Sequence, residues 1–227
     1  MRPTLVFDLD GTLVDTAHDL VATLNVILER ENLAALPFES AVSMVGHGAR
    51  VLIERGLAAN DVTREAAIID RMFDDYIAHY ADHIADLSQP YPGLVATLDH
   101  YAAEGWILAV CTNKLEHLSV ELLGRLGLAD RFAAICGADT FLARKPDPIA
   151  LTETIRRAGG APEAALMVGD SKTDIDTAKA AGIPVVAVDF GYTPIPVTEL
   201  GPDAVISHYD ELIGAVARLR PDLSGPR

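Results

Sequence analysis

The sequence predicts an α/β fold: a doubly wound, parallel-sheet Rossmann-like core with a small α-helical cap domain inserted near its start. Short runs that are apolar on both faces recur along the chain, as strands buried inside a parallel sheet must be. Helical patterns separate most of the later runs, which is the rhythm of β-α-β units. Between about Asp15 and Asp86 that rhythm stops and only helical periodicity remains.

In chain order, Leu5-Val6-Phe7 is the first apolar run and ends in Asp8. The helical segment follows. Thr16 and Asp19 have the spacing of a capping box, and Leu20, Leu24, Ile27 and Leu28 share the apolar face of the helix they start. Gly46-His47-Gly48-Ala49-Arg50 reads as a turn or a helix start. Ile69, Met72, Phe73, Tyr76, Ile77 and Tyr80 form a second apolar face, on a helix beginning after Asp61 or Thr63. Strand runs then resume. Residues 107–110 end in Cys111-Thr112-Asn113, 133–136 in Gly137, 166–168 in Gly169-Asp170 and 185–188 in Asp189, with a last run at 204–206. The expected division is a core of residues 1–14 and 87–227 and a cap of residues 15–86, hinged near 13–16 and 88–92. The tail, 220–227, is expected to fray.

Composition narrows the function. In 227 residues there are 18 basic and 33 acidic side chains, a formal net charge of -15. A chain this acidic, with no basic cluster longer than Arg156-Arg157, is repelled by nucleic acids and anionic membranes. No run approaches the ~20 apolar residues of a membrane span. Two cysteines cannot make a disulfide framework, so the expected setting is a reducing cytoplasm.

Four short motifs fall at the ends of predicted strands. Asp8-Leu9-Asp10-Gly11-Thr12 sets two carboxylates two residues apart, where they share a face unless Gly11 turns the chain. Such a pair repels unless a cation or proton intervenes, and an Asx-type turn explains it as well. Thr112-Asn113-Lys114 offers a hydroxyl and an amide to phosphoryl oxygens, or else a helix cap. Lys145 precedes the helical pattern opened by Pro146-Asp147-Pro148, where ammonium and helix dipole both face an anion; a solvated lysine is the plainer reading. Asp170 and Asp174 stand four apart after Gly169, a pair suited to Mg²⁺ or simply to a helix N-terminus. Singly, each motif is explained without chemistry. Their order at successive strand ends is not.

That order, Asp8-x-Asp10-Gly11-Thr12, then Thr112, Lys145 and Gly169-Asp170-x-x-x-Asp174, resembles the haloacid dehalogenase superfamily over nearly the whole chain. The inserted segment resembles its small helical cap. Val45-Gly46-His47-Gly48-Ala49, Cys111-Thr112-Asn113-Lys114 and Val168-Gly169-Asp170-Ser171 look most like the bacterial phosphoglycolate phosphatase branch. Close relatives there act on sugar phosphates, N-acetylmuramic acid 6-phosphate or pyrophosphate. The resemblance implies that Asp8 is the nucleophile and Asp10 the general acid and base. It implies that Mg²⁺ is bound by Asp8, Asp10 (through its carbonyl) and Asp170, with Asp174 orienting metal-bound water. Thr112, Asn113 and Lys145 then hold the phosphate. Dehalogenases of the superfamily lack a carboxylate at the position of Asp10, so the implied reaction is hydrolysis of a small phosphorylated metabolite. An inactive binding protein would have lost Asp8, Asp10, Lys145 or Asp170, and all four are present. Arg50, with His47 beside it, is the expected reader of a substrate carboxylate, as in 2-phosphoglycolate. The expected assembly is a monomer or homodimer.

Overall fold

The structure, a computed structural model, describes residues 2–223. In chain order its strands and α-helices are β1 (Thr4–Phe7), β2 (Val14–Asp15), α1 (Ala17–Arg30), α2 (Phe38–Ala41), α3 (Ala49–Ala59), α4 (Ala66–Asp82), β3 (Gln89–Pro90), α5 (Leu94–Ala103), β4 (Ile107–Cys111), α6 (Glu116–Arg125), β5 (Ala134–Cys136), α7 (Pro148–Arg157), β6 (Ala165–Gly169), α8 (Lys172–Ala181), β7 (Val185–Val188), β8 (Ala204–Ile206) and α9 (Leu212–Leu219).

Six of the strands make one parallel sheet in the order β5-β4-β1-β6-β7-β8. Strand alternation sorts its side chains to two faces. Leu5, Phe7, Leu108, Val110, Leu166 and Val168 join one apolar cluster, with Leu98 of α5, Leu122 of α6 and Val216 of α9. Val6, Ala109, Cys111, Ala165 and Met167 join the other, with Leu151 of α7 and Ile175 of α8. Burying each leucine or isoleucine is worth about 1.5–3 kcal/mol, so both faces need their helices. β1 is central, and the sheet order reverses beside it. In such a sheet the ligand crevice lies beyond the carboxyl ends of the strands at that reversal.

Helices α1–α4 stand outside the sheet, where α1, α3 and α4 pack on one another. The predicted faces are those that pack: Leu20, Leu24, Ile27 and Leu28 of α1 and Met72, Tyr76 and Tyr80 of α4 are buried. The chain leaves and re-enters the core through β2 and β3, an antiparallel pair in which Val14 faces Pro90 and Asp15 faces Gln89. The expected capping box at α1 does not form. The Thr16 hydroxyl donates to Asp10 (2.7 Å), and Asp19 accepts from the Leu87 and Ser88 N–H groups and the Ser88 hydroxyl. The first N–H groups of α1 donate instead to the Tyr192 hydroxyl oxygen, Thr16 at 2.6 Å and Ala17 at 3.0 Å. The long-range acceptor displaces the local one because Thr16 and Asp19 are both engaged elsewhere. At the C-terminus, Leu223 N–H closes a turn onto the Arg220 carbonyl, and Arg220 pairs with Asp222. The rest of the expected fraying tail, 224–227, lies outside the described residues.

Candidate active site

Asp8 is the first residue past β1. Its N–H continues the ladder to the Val168 carbonyl (2.9 Å), and its Oδ1 accepts from the Leu9 N–H at 2.7 Å. The chain then turns sharply, with the Leu13 and Val14 N–H groups both donating to the Leu9 carbonyl. Gly11 makes this possible, with φ +81° and no room for a side chain: a Cβ there would lie 2.7 Å from Asp170 Oδ2. Asp170 is the first residue past β6 next door. Thr12 Oγ1 donates to its Oδ1 (3.1 Å) and the Tyr192 N–H to its Oδ2 (2.9 Å). Gly191 lets Tyr192 approach, since a Cβ at 191 would fall 2.2 Å from the Asp170 Cβ.

Asp174 is the third residue of α8 and, with Ser171 as N-cap, completes a capping box. Its other oxygen takes Lys145 Nζ at 2.6 Å, and the same ammonium lies 2.9 Å from Asp8 Oδ1. Lys145 comes from the loop before α7, whose start is capped by Asp147 accepting from the Ile149 N–H. Asp8, Lys145, Asp170 and Asp174 are all buried. Desolvation raises the Asp8 pKa to about 6, with the Asp174 charge adding to it and Lys145 opposing it. Desolvation, then Asp174 and Asp8, raises that of Asp170 to about 8. Burial alone would lower the Lys145 pKa, but the Asp174 and Asp8 charges outweigh it and the net shift is upward.

This set fits a hard divalent cation. Asp8, Asp170 and Asp174 each offer a carboxylate oxygen, and the three lie within 4.8 Å of one another. Lys145 pairs with Asp8 and Asp174, whereas Asp170 has no ion-pair partner among the described residues. Three clustered carboxylates against one ammonium leave negative charge in a buried place, and oxygen donors are what Mg²⁺ takes.

Asp10 is not one of this carboxylate group. Lys114 Nζ lies 2.9 and 3.2 Å from its two oxygens and 4.4 Å from the centroid of the Tyr80 ring. Thr112, beyond β4, accepts from the Lys114 N–H, and Asn113 donates to the Lys145 carbonyl at 3.1 Å. The Asn113 Oδ1 is buried with no hydrogen-bond partner among the described residues. Asp8, Asp10, Thr112, Asn113 and Lys114 line a cavity of about 200 Å³ whose far wall is Leu52, Phe73, Tyr76, Ile77 and Tyr80. The 46–48 loop of the helical segment closes over it and also borders a second cleft that contains Asp170 and Tyr192. His47 stands within 3.2 Å of Arg55, and burial, then that guanidinium, lowers its pKa. Arg50 borders the first cavity, but its guanidinium pairs with Asp70 and lies 5.5 Å over the Phe73 ring, leaving the side chain 45% exposed.

Two of the residues found here, Lys114 and Thr12, have no role in the sequence reading. Lys114 stands in its quoted motif, two past Thr112 and so able to share its side of the chain, which was the available signal. Thr12 likewise sits inside a quoted motif. Gly191-Tyr192-Thr193-Pro194 follows a predicted strand and reads equally as a pocket wall or a plain turn; Tyr192 lines the second cleft, and its partners, 22, 175, 176 and 177 residues away, have no local signal.

Comparison with known proteins agrees with this geometry. A phosphoglycolate phosphatase of Mesorhizobium japonicum is 55% identical over 93% of this chain and 93% of its own. One of Agrobacterium fabrum is 45% identical over 95% and 93%. A crystal structure described as a predicted phosphoglycolate phosphatase from Haemophilus somnus superposes with a TM-score of 0.88 at 28% identity, covering 94% of this chain and 97% of that one. CbbY from Rhodobacter sphaeroides, solved with phosphate, shares the fold at a TM-score of 0.79 and 22% identity, over 93% and 96%. The family model for haloacid dehalogenase-like hydrolases matches residues 5–188, from β1 to the end of β7. The chain therefore belongs to the haloacid dehalogenase-like hydrolase family.

Proposed function

We propose that this hydrolase is a Mg²⁺-dependent phosphatase that converts 2-phosphoglycolate to glycolate and phosphate through an aspartyl-phosphate on Asp8. The observation that carries this reading is the pair of carboxylates on one turn with separate partners, only one of them in the carboxylate cluster. Asp8 is held in the buried charge cluster by Lys145 and the Leu9 N–H, Asp10 is held outside it by Lys114 and the Thr16 hydroxyl, and both line the cavity. The names of the relatives supply the substrate.

In this reading one Asp8 oxygen attacks phosphorus in line while the bond from phosphorus to the ester oxygen breaks. Asp10 gives the departing alkoxide its proton, then takes one from the water that attacks the aspartyl-phosphate. The bond from phosphorus to Asp8 breaks, releasing phosphate and restoring the carboxylate. Lys145, Thr112 and Asn113 hold the phosphoryl oxygens. Asp8, Asp170 and the Asp10 carbonyl would hold Mg²⁺, which supplies the positive charge that lets an anionic nucleophile meet an anionic ester. Asp174 keeps Lys145 and the metal's surroundings in place. Residues 15–86 serve as a cap that opens at β2 and β3 to admit substrate and closes to exclude water.

The test is Asp8→Asn, an isosteric amide. Phosphate release should fall at least about 10³-fold while the melting temperature is kept. Substantial turnover, with deamidation excluded by mass spectrometry, would overturn the covalent route.

A further inference from the structure

Resting on that reading, we propose that Lys114 is the specificity-determining residue, recognising a carboxylate on the carbon that bears the ester oxygen. Three cationic side chains border the cavity: Arg50, Lys114 and Arg144. Arg50 and Arg144 are exposed, Arg50 in a surface pair with Asp70 over the Phe73 ring. Lys114 alone of the three is buried, its side chain 5% exposed, and it stands next to the group that serves the ester oxygen.

The distances select the position of the substrate's charge. An acid that protonates the ester oxygen lies within about 3 Å of it. Lys114 Nζ is 2.9 Å from one oxygen of that acid and 3.2 Å from the other. Ammonium and ester oxygen thus flank one carboxylate group. A substrate carboxylate one carbon from the ester oxygen has an oxygen roughly 3 Å away from it by ordinary bond lengths. That leaves about one hydrogen bond to span to Nζ. One more methylene carries the charge past this point, in a cavity whose remaining lining includes the apolar Phe73 and Ile77.

Lys114 is also fixed. The Tyr80 ring faces Nζ at 4.4 Å, and Tyr80 itself is buried, as is Tyr76, whose hydroxyl donates to the Leu20 carbonyl. The ammonium has three donors, and a second anion is a better partner for the remaining one than the ring. Nearby the buried Tyr80 hydroxyl has no hydrogen-bond partner among the described residues.

The experiment compares 2-phosphoglycolate with ethyl phosphate, which keeps the alkoxide leaving group and lacks the charge. Wild type should favour 2-phosphoglycolate. In Lys114→Met its kcat/KM should fall about 100-fold or more, with a much smaller loss on ethyl phosphate, so that the preference collapses. Arg50→Ala and Arg144→Ala should leave the preference standing. Equal losses on both esters in Lys114→Met would mean that Lys114 only positions Asp10, and collapse in either arginine variant would move the subsite there; both overturn the proposal. If Lys114→Met does not fold, wild type alone decides. It should turn over 2-phosphoglycolate at least about tenfold better than 3-phosphooxypropionate, whose charge is one methylene further out; equal rates overturn the proposal. A wild type indifferent between 2-phosphoglycolate and ethyl phosphate would instead refute the substrate assigned to the enzyme.

Discussion

Asp170 shows how a buried carboxylate can be held in place with no cationic side chain against it among the described residues. Thr12 and the Tyr192 N–H each take one of its oxygens, and glycines at 11 and 191 leave it the space. Thr12→Val preserves shape and removes one donor. The expected result is a loss of about 10–100-fold in Mg²⁺ affinity, read from the Mg²⁺ dependence of activity, with most of kcat regained at saturating metal. The carboxylates of this site were legible in the sequence because each ends a strand or opens a helix, and strand ends are where apolar runs stop. Their partners were not. Thr12 meets Asp170 across 158 residues, and nothing in a local pattern encodes such a pairing. Arg50 stood out as the cation of the 46–50 loop, but Asp70 and Phe73, on a different helix, decide where its guanidinium goes.

At the scale of elements, the sheet strands were the most readable part, because a run apolar on both faces has few other places to go. The two-residue strands β2 and β3 were invisible, being too short to show alternation, although the expected hinges at 13–16 and 88–92 fall on them. The capping box at Thr16 and Asp19 had the right spacing and the wrong partners. Asp19 instead binds the start of the return path, with two N–H groups and a hydroxyl on one buried carboxylate. Asp19→Ala leaves those donors without an acceptor and should cost about 2–4 kcal/mol in chemical denaturation. Asp19→Asn, which keeps one carbonyl oxygen, should cost less. Equal stability of all three proteins would show that this junction is held by packing alone.

For the molecule as a whole, the buried acids make stability depend on pH in an unusual direction. Asp8 and Asp170 bind protons more tightly in the fold than in the unfolded chain. Their contribution is therefore fully present below the ordinary carboxylate range and is lost as pH rises through about 6 and then about 8. In chelator, the melting temperature should decline across that window, and Asp170→Asn should flatten the decline. Added Mg²⁺ should stabilise more at pH 8 than at pH 6, because the ion competes with protons for the same oxygens. A larger effect at pH 6 would contradict the assigned ligands. Tyr192 carries a consequence of another kind. Its N–H steadies Asp170 while its hydroxyl accepts from the start of α1 and donates to Asp15 of β2. On the proposed metal site and hinge, this one residue would contribute to two equilibria, and any coupling between them is reciprocal. If an occupied Asp170 firms the hinge, a firm hinge must strengthen metal binding by the same factor. Tyr192→Phe, which keeps the N–H and severs the hydroxyl arm, should uncouple the two: hydrogen exchange at residues 14–17 should cease to respond to Mg²⁺.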